Sequence, residues 1–138
     1  MSLTPSFRVS LERALSTRGV AVSQWRGGTR VSNHLLEMST SPQPTVLYIK
    51  GSTSDPGFWG LTHNQLDCLF HSKARWFCVF LHRSSMAGYL LSGGQIQLRL
   101  QKGDLTLGKD GDYKVNERSE LVSSQRFEGV AALLSRLL

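Results

Sequence analysis

The 138-residue sequence has no apolar run that could cross a bilayer: the longest, Trp76-Phe77-Cys78-Val79-Phe80-Leu81, is six residues against the roughly 20 that a spanning helix needs. The amino terminus also lacks the apolar core of a secretory signal, so a soluble, cytoplasmic protein is expected. Cysteine is scarce, with only Cys68 and Cys78 and no Cys-x-x-Cys pair. In a reducing compartment these are expected to be free thiols packed as small hydrophobes. His63 and His71 lie near Cys68 along one segment, but no four ligands stand at the spacing of a closed zinc site. There is no Gly-x-Ser-x-Gly, no P-loop and no dinucleotide fingerprint, so acyl transfer and nucleotide-dependent chemistry have no motif behind them. Asp110-Gly111-Asp112 lacks the acid that closes a calcium loop at its twelfth position and is read as a turn. Charged residues make up only 19% of the chain and hydrophobic ones 40%, which excludes a disordered chain and fits one folded domain spanning 1–138.

Positive charge is what the sequence has in excess. The net charge is +6, and residues 1–50 hold six Lys or Arg against two acids. Arg8, Arg13, Arg18, Arg26 and Arg30 make the front of the chain basic without a dense run. A field of this sign favours polyanions such as nucleic acid; a solvated surface tuned for solubility explains it equally well.

Hydrophobic spacing supplies the elements. Phe7, Leu11, Ala14 and Leu15 fall on one helical stripe, and Pro5-Ser6 and Gly19 bracket it, so residues 6–18 are predicted to be an amphipathic helix. Strands are predicted at 20–25, 32–39 and 45–50, the last with Val46, Tyr48 and Lys50 on one face. Residues 51–60 read as a loop. A helix follows from Thr62, with Leu66, Leu69 and Phe70 buried and Gln65 at the capping-box spacing from Thr62. The run 76–81 reads as a central strand covered on both faces. Residues 89–91 and 96–100 read as strands joined by a Ser92-Gly93-Gly94-Gln95 hairpin turn. Residues 103–120 read as turn-rich, and Phe127, Val130, Ala131 and Leu134 mark a closing helix. The order predicts an α/β fold with a mixed central β-sheet flanked by helices.

The segment Tyr48-Ile49-Lys50-Gly51, followed by Phe58-Trp59-Gly60-Leu61-Thr62-His63-Asn64-Gln65 and the apolar strand, resembles the core of the restriction-endonuclease-like, or PD-(D/E)xK, nuclease superfamily. The resemblance covers about half of the chain when the first helix and the Glu37 strand are included. It implies a restriction-endonuclease-like fold and, for an active copy, a metal-dependent phosphodiesterase with Mg²⁺ as cofactor. Such a site uses two carboxylates on adjacent strands to hold the metal that activates water, and a lysine to stabilise charge or orient that water. By resemblance Lys50 is the catalytic lysine, and Glu37 is the first acid and metal ligand. Gln65 is either a polar residue aimed at the site or simply a helix cap. Arg26, Arg30 and Trp59 are candidates for contacting nucleic acid, Trp59 with Phe58 by base stacking or, alternatively, as a plug closing the sheet edge.

One position departs from the pattern. Tyr48 stands where the second acid belongs, and no Asp or Glu occurs between Glu37 and Asp55. A neutral phenol is a poor Mg²⁺ ligand, and Asp55 could join the site only by folding back. The expectation is therefore a small, basic, nucleic-acid-associated domain with negligible metal-dependent cleavage, DNA as partner and, as the resemblance implies, a homodimer. The alternative is a non-enzymatic structural or protein-interaction domain. Lys50 facing Glu37 across neighbouring strands is the feature that would separate the two.

Overall fold

The computed structural model describes residues 3–138, so the first two residues of the expected 1–138 domain lie outside it. Helix α1 (Leu3–Ser16) leads into strands β1 (Val22–Gln24), β2 (Leu35–Met38) and β3 (Thr45–Ser52). Strand β4 (Phe58–Thr62) and helix α2 (His63–His71) connect to β5 (Arg75–His82) and β6 (Ala87–Ser92). Helix α3 (Gly93–Lys102), β7 (Thr106–Leu107), β8 (Asp112–Asn116), the short α4 (Glu117–Glu120), β9 (Arg126–Glu128) and α5 (Val130–Leu137) complete the chain. No helix among the described residues is long and apolar enough to cross a membrane.

The six-stranded sheet runs β1-β2-β3-β5-β6-β9, and only β3 and β5 are parallel. A parallel pair needs a long crossover, which β4 and α2 provide. The eight-residue β5 contains the apolar run and pairs with β3 along its whole length, from Thr45 opposite Arg75 to Ser52 opposite His82. Its other edge pairs with β6. That pairing is tight: a Cβ on Gly88 would stand 1.9 Å from the carbonyl oxygen of Phe80, so only glycine fits there.

Alternation along these strands feeds two cores, one on each face. Leu47, Ile49, Val79 and Leu81 pack with Phe7, Leu11 and Leu15 of α1 and with Leu133, Leu134 and Leu137 of α5. Val46, Tyr48, Cys78 and Phe80 pack with Leu66 and Leu69 of α2, Ile96 of α3, and Trp59, Leu61 and Val115 of the smaller sheet. That smaller sheet, β4-β8-β7, is antiparallel and lies on the second face. The α/β architecture with a mixed sheet between helices is as the hydrophobic pattern predicts.

Four local expectations are corrected. Residues 96–100 are helical: Ser92 and Gln95 form a reciprocal capping box, Gly103 closes the helix at φ 75°, and only Ile96 of the apparent alternation is fully buried. Part of the expected 51–60 loop is β4, paired with β8 in the stretch read as irregular. Phe70 is not in the α2 stripe; it is 36% exposed and its ring lies edge-on to Trp76. Phe127 belongs to β9, and Gly129 at φ 88° separates it from the closing helix.

Candidate functional site

Tyr48 is only 2% exposed. Its side chain lies between the levels of Leu35 on β2 and Cys78 on β5, and its hydroxyl accepts the Thr62 backbone N–H at 3.0 Å. That bond satisfies one of the donors left free at the start of α2, where the Thr62 side chain makes no capping bond to the N–H groups that follow. Burial pushes the phenol pKa up, against the opposing pull of the Thr62 hydrogen bonds. The position where the resemblance calls for a metal-binding acid is thus part of the core.

Glu37 and Lys50 share that face of the sheet but not a level. Glu37 pairs with Val46, four residues before Lys50 on β3, which separates them by roughly 13 Å along the strands. Leu35, not an acid, stands opposite Tyr48. The register therefore does not bring together the metal ligand and the lysine expected from the resemblance, and the pairing that would have favoured the nuclease lineage over a non-enzymatic domain is not formed.

The other sequence candidates divide. Trp59 is 2% exposed, with its indole N–H donating to the Leu81 carbonyl at 3.0 Å and its ring against Phe80, so it closes the core and offers no face to a nucleobase. Phe58 beside it is 48% exposed. Gln65 does not cap α2. Its buried Oε1 accepts the Thr29 backbone N–H at 3.1 Å, which ties the 26–30 segment to the helix. Arg26 and Arg30 lie in that segment and are exposed.

The structure assembles a different polar constellation at the end of β5, two positions past Phe80, the residue that pairs with Lys50. Ligand-capable atoms of Asp55, His82 and Glu117 lie within 4.8 Å of one another. Asp55 does fold back after β3, the possibility that the sequence left open, but it meets His82 and Glu117 rather than Lys50. The ring Nε2 of His82 faces the Ser54 carbonyl at 2.9 Å, a contact that requires the proton on that nitrogen; its Nδ1 lies 3.3 Å from Glu117 Oε2. Glu117 Oε1 accepts the Gly57 N–H at 2.8 Å, and its Oε2 accepts the Tyr89 hydroxyl at 2.5 Å. Those two hydrogen bonds hold the Glu117 carboxyl below the usual carboxylate range, with desolvation opposing and His82 and Arg126 helping. Tyr89 is pushed up by desolvation and by its bond to Glu117.

A histidine and two carboxylates could in principle hold a divalent ion. Here two guanidiniums already face the same donors: Arg83 Nη1 is 3.3 Å from Asp55 Oδ2, and Arg126 Nη1 is 3.4 Å from His82 Nδ1. Their two charges balance the two carboxylates, and Glu117 has both oxygens in use, so the residues fit a clasp rather than a resident metal. The clasp joins the strand ends of the large sheet to the segments flanking β4 and β8. Sequence reading missed it because His82, Tyr89 and Glu117 carry no shared motif; the one local signal was Asp55 placed soon after β3.

No protein-family model and no curated protein sequence matches the chain. Among solved structures, a Holliday junction resolvase of the hyperthermophilic archaeon Archaeoglobus fulgidus is similar at a TM-score of 0.54 and 13% identity, covering 96% of this chain and 95% of that one. What is shared at that identity is the fold: a mixed central sheet flanked by helices, of restriction-endonuclease-like architecture.

Proposed function

We propose that this chain is a nucleic-acid-binding domain, acting as one unit over 1–138, in which the acid-x-Lys position no longer supports metal-dependent cleavage. The observation that carries the reading is Tyr48: in a fold shared with a junction resolvase, a buried phenol with a structural hydrogen bond stands at the position that the resemblance assigns to the second acid. With Leu35 opposite Tyr48 and Glu37 displaced along the sheet, the β2–β3 pair offers Lys50 no carboxylate pair for Mg²⁺. Mg²⁺ keeps most of its waters and needs carboxylate or phosphate oxygens in near-octahedral geometry; one displaced carboxylate does not provide that. The net charge of +6 supports DNA as the partner. The homodimer that the resemblance implies belongs to this reading and is checked by sedimentation velocity.

The test is fluorescence anisotropy with a labelled duplex and a four-way junction at about 50 mM salt, with cleavage followed in Mg²⁺ and Mn²⁺. Binding that weakens steeply with salt, without cleavage, is expected. Absence of binding would favour the protein-interaction alternative. Robust Mg²⁺-dependent cleavage that is lost in Lys50→Ala would show that another acid completes the site.

A further inference from the structure

We infer that the loop Arg26-Gly27-Gly28-Thr29-Arg30 is the phosphate-contacting surface of this domain, held in shape from beneath by Gln65. The inference rests on the nucleic-acid reading above and names the face that would carry it. The loop leaves β1 at Trp25, whose N–H bonds to the Leu35 carbonyl, and so lies at the edge of the sheet where Leu35 pairs with Tyr48. Lys50 is two residues beyond Tyr48 on the same face. Lys50 on β3 and the loop that follows β1 therefore lie towards the same end of the sheet.

The loop is built down onto its support. Gln65 is 8% exposed and spends its amide oxygen on the Thr29 N–H rather than on its own helix. A Cβ on Gly28 would stand 2.5 Å from that oxygen and 3.3 Å from Leu35 Cδ1; one on Gly27 would stand 2.5 Å from the Trp25 ring. The two glycines thus let the backbone press against helix, strand and indole, while Arg26 and Arg30 stay exposed on either side. Six of the eleven arginines are engaged: Arg8 with Glu12, Arg83 with Asp55, Arg126 with Glu128, and Arg75, Arg99 and Arg136 with backbone carbonyls. Arg26 and Arg30, like Arg13, Arg18 and Arg118, make no ion pair among the described residues, and what sets these two apart is their place on one anchored loop. Two uncommitted guanidiniums four residues apart, on a loop whose backbone is anchored, suit phosphodiester oxygens, which a guanidinium grips bidentately. Gln65 is a positioning residue in this arrangement.

The experiment compares two double variants that each remove two positive charges: Arg26→Ala/Arg30→Ala in the loop, and Lys102→Ala/Lys109→Ala at exposed sites elsewhere. Duplex affinity is measured across a salt series for the full chain. Each lost phosphate contact makes the slope of log affinity against log salt shallower by about 0.9, so the loop variant should lose about 1.8. The lysine variant should keep the parent slope. Gln65→Ala, confirmed folded by circular dichroism, should also give a shallower slope although its net charge is unchanged, which a purely structural weakening would not do. Equal slope losses in the two double variants, or an unchanged slope in the loop variant, would overturn the loop assignment while leaving nucleic-acid binding intact. No binding by the unmodified chain would overturn both.

Discussion

Replacing Tyr48 by Glu restores an acid-x-Lys sequence, and the structure says that the protein pays for it in stability rather than gaining a site. Three effects add. Tyr48 is 2% exposed, and trading its ring for a shorter polar side chain forfeits packing that we take as about 2 kcal/mol, below the full cost of truncating a buried aromatic to alanine. The Thr62 N–H loses its acceptor, at about 1 kcal/mol or more. A carboxyl desolvated there would have its pKa raised; lifting it from about 4.3 to 7 costs about 3.7 kcal/mol at neutral pH and above. The sign follows from linkage: a carboxyl raised in the folded state destabilises as pH climbs above its unfolded value, so the penalty is largest at pH 8 and shrinks towards pH 5. The expected loss is about 7 kcal/mol at pH 8 and about 4 kcal/mol at pH 5, against a total stability of about 7–20 kcal/mol for a chain of this length. Tyr48→Phe keeps the ring and loses only the hydroxyl acceptor, and should cost about 1–2 kcal/mol at both pH values. Urea unfolding followed by circular dichroism measures each difference. A Tyr48→Glu variant that is as stable at pH 8 as at pH 5, or whose midpoint or cleavage rises with Mg²⁺, would refute the argument and restore position 48 as a metal site.

Glu117→Ala should destabilise by about 2–4 kcal/mol in urea, because the Gly57 N–H and the Tyr89 hydroxyl both lose their acceptor. Since the Glu117 carboxyl is held low, its stabilising contribution is present above about pH 4.3 and is lost as pH falls through the folded value; Glu117→Gln should flatten that part of an acid unfolding curve, and an unchanged curve would rule out the clasp. Burial pushes the Cys78 thiol far up, whereas Cys68 is half-buried, so an aromatic disulfide reagent should titrate one thiol in the native protein and two in denaturant; two fast thiols in the native state would contradict the placement of Cys78 between two sheet neighbours.

Some of this protein was legible residue by residue. The run 76–81 has to be covered on both faces, because its six apolar side chains point alternately to two sides, and the structure places a core on each. The stripe Phe7, Leu11, Leu15 likewise needs one buried face and has one. Those signals act over a few residues along the chain, within the reach of a helical turn or a strand pleat. Where two local signals competed, the sequence misled: Ile96, Leu98 and Leu100 alternate like a strand, yet the Ser92–Gln95 cap and Gly103 made them a helix. Gln65 had the spacing of a cap and was taken instead by the Thr29 backbone, 36 residues away. The site depended on such distant partners. Strand register puts Glu37 opposite Val46 rather than near Lys50, and no local pattern records it, because register is set by how whole strand faces fill two cores. The same packing buries Tyr48 and Trp59 between the two sheets and gathers Asp55, His82 and Glu117 from three parts of the chain. The chemistry of each side chain was in the sequence; which of them meet was decided by tertiary structure, because a contact between distant residues exists only once the elements between them have packed.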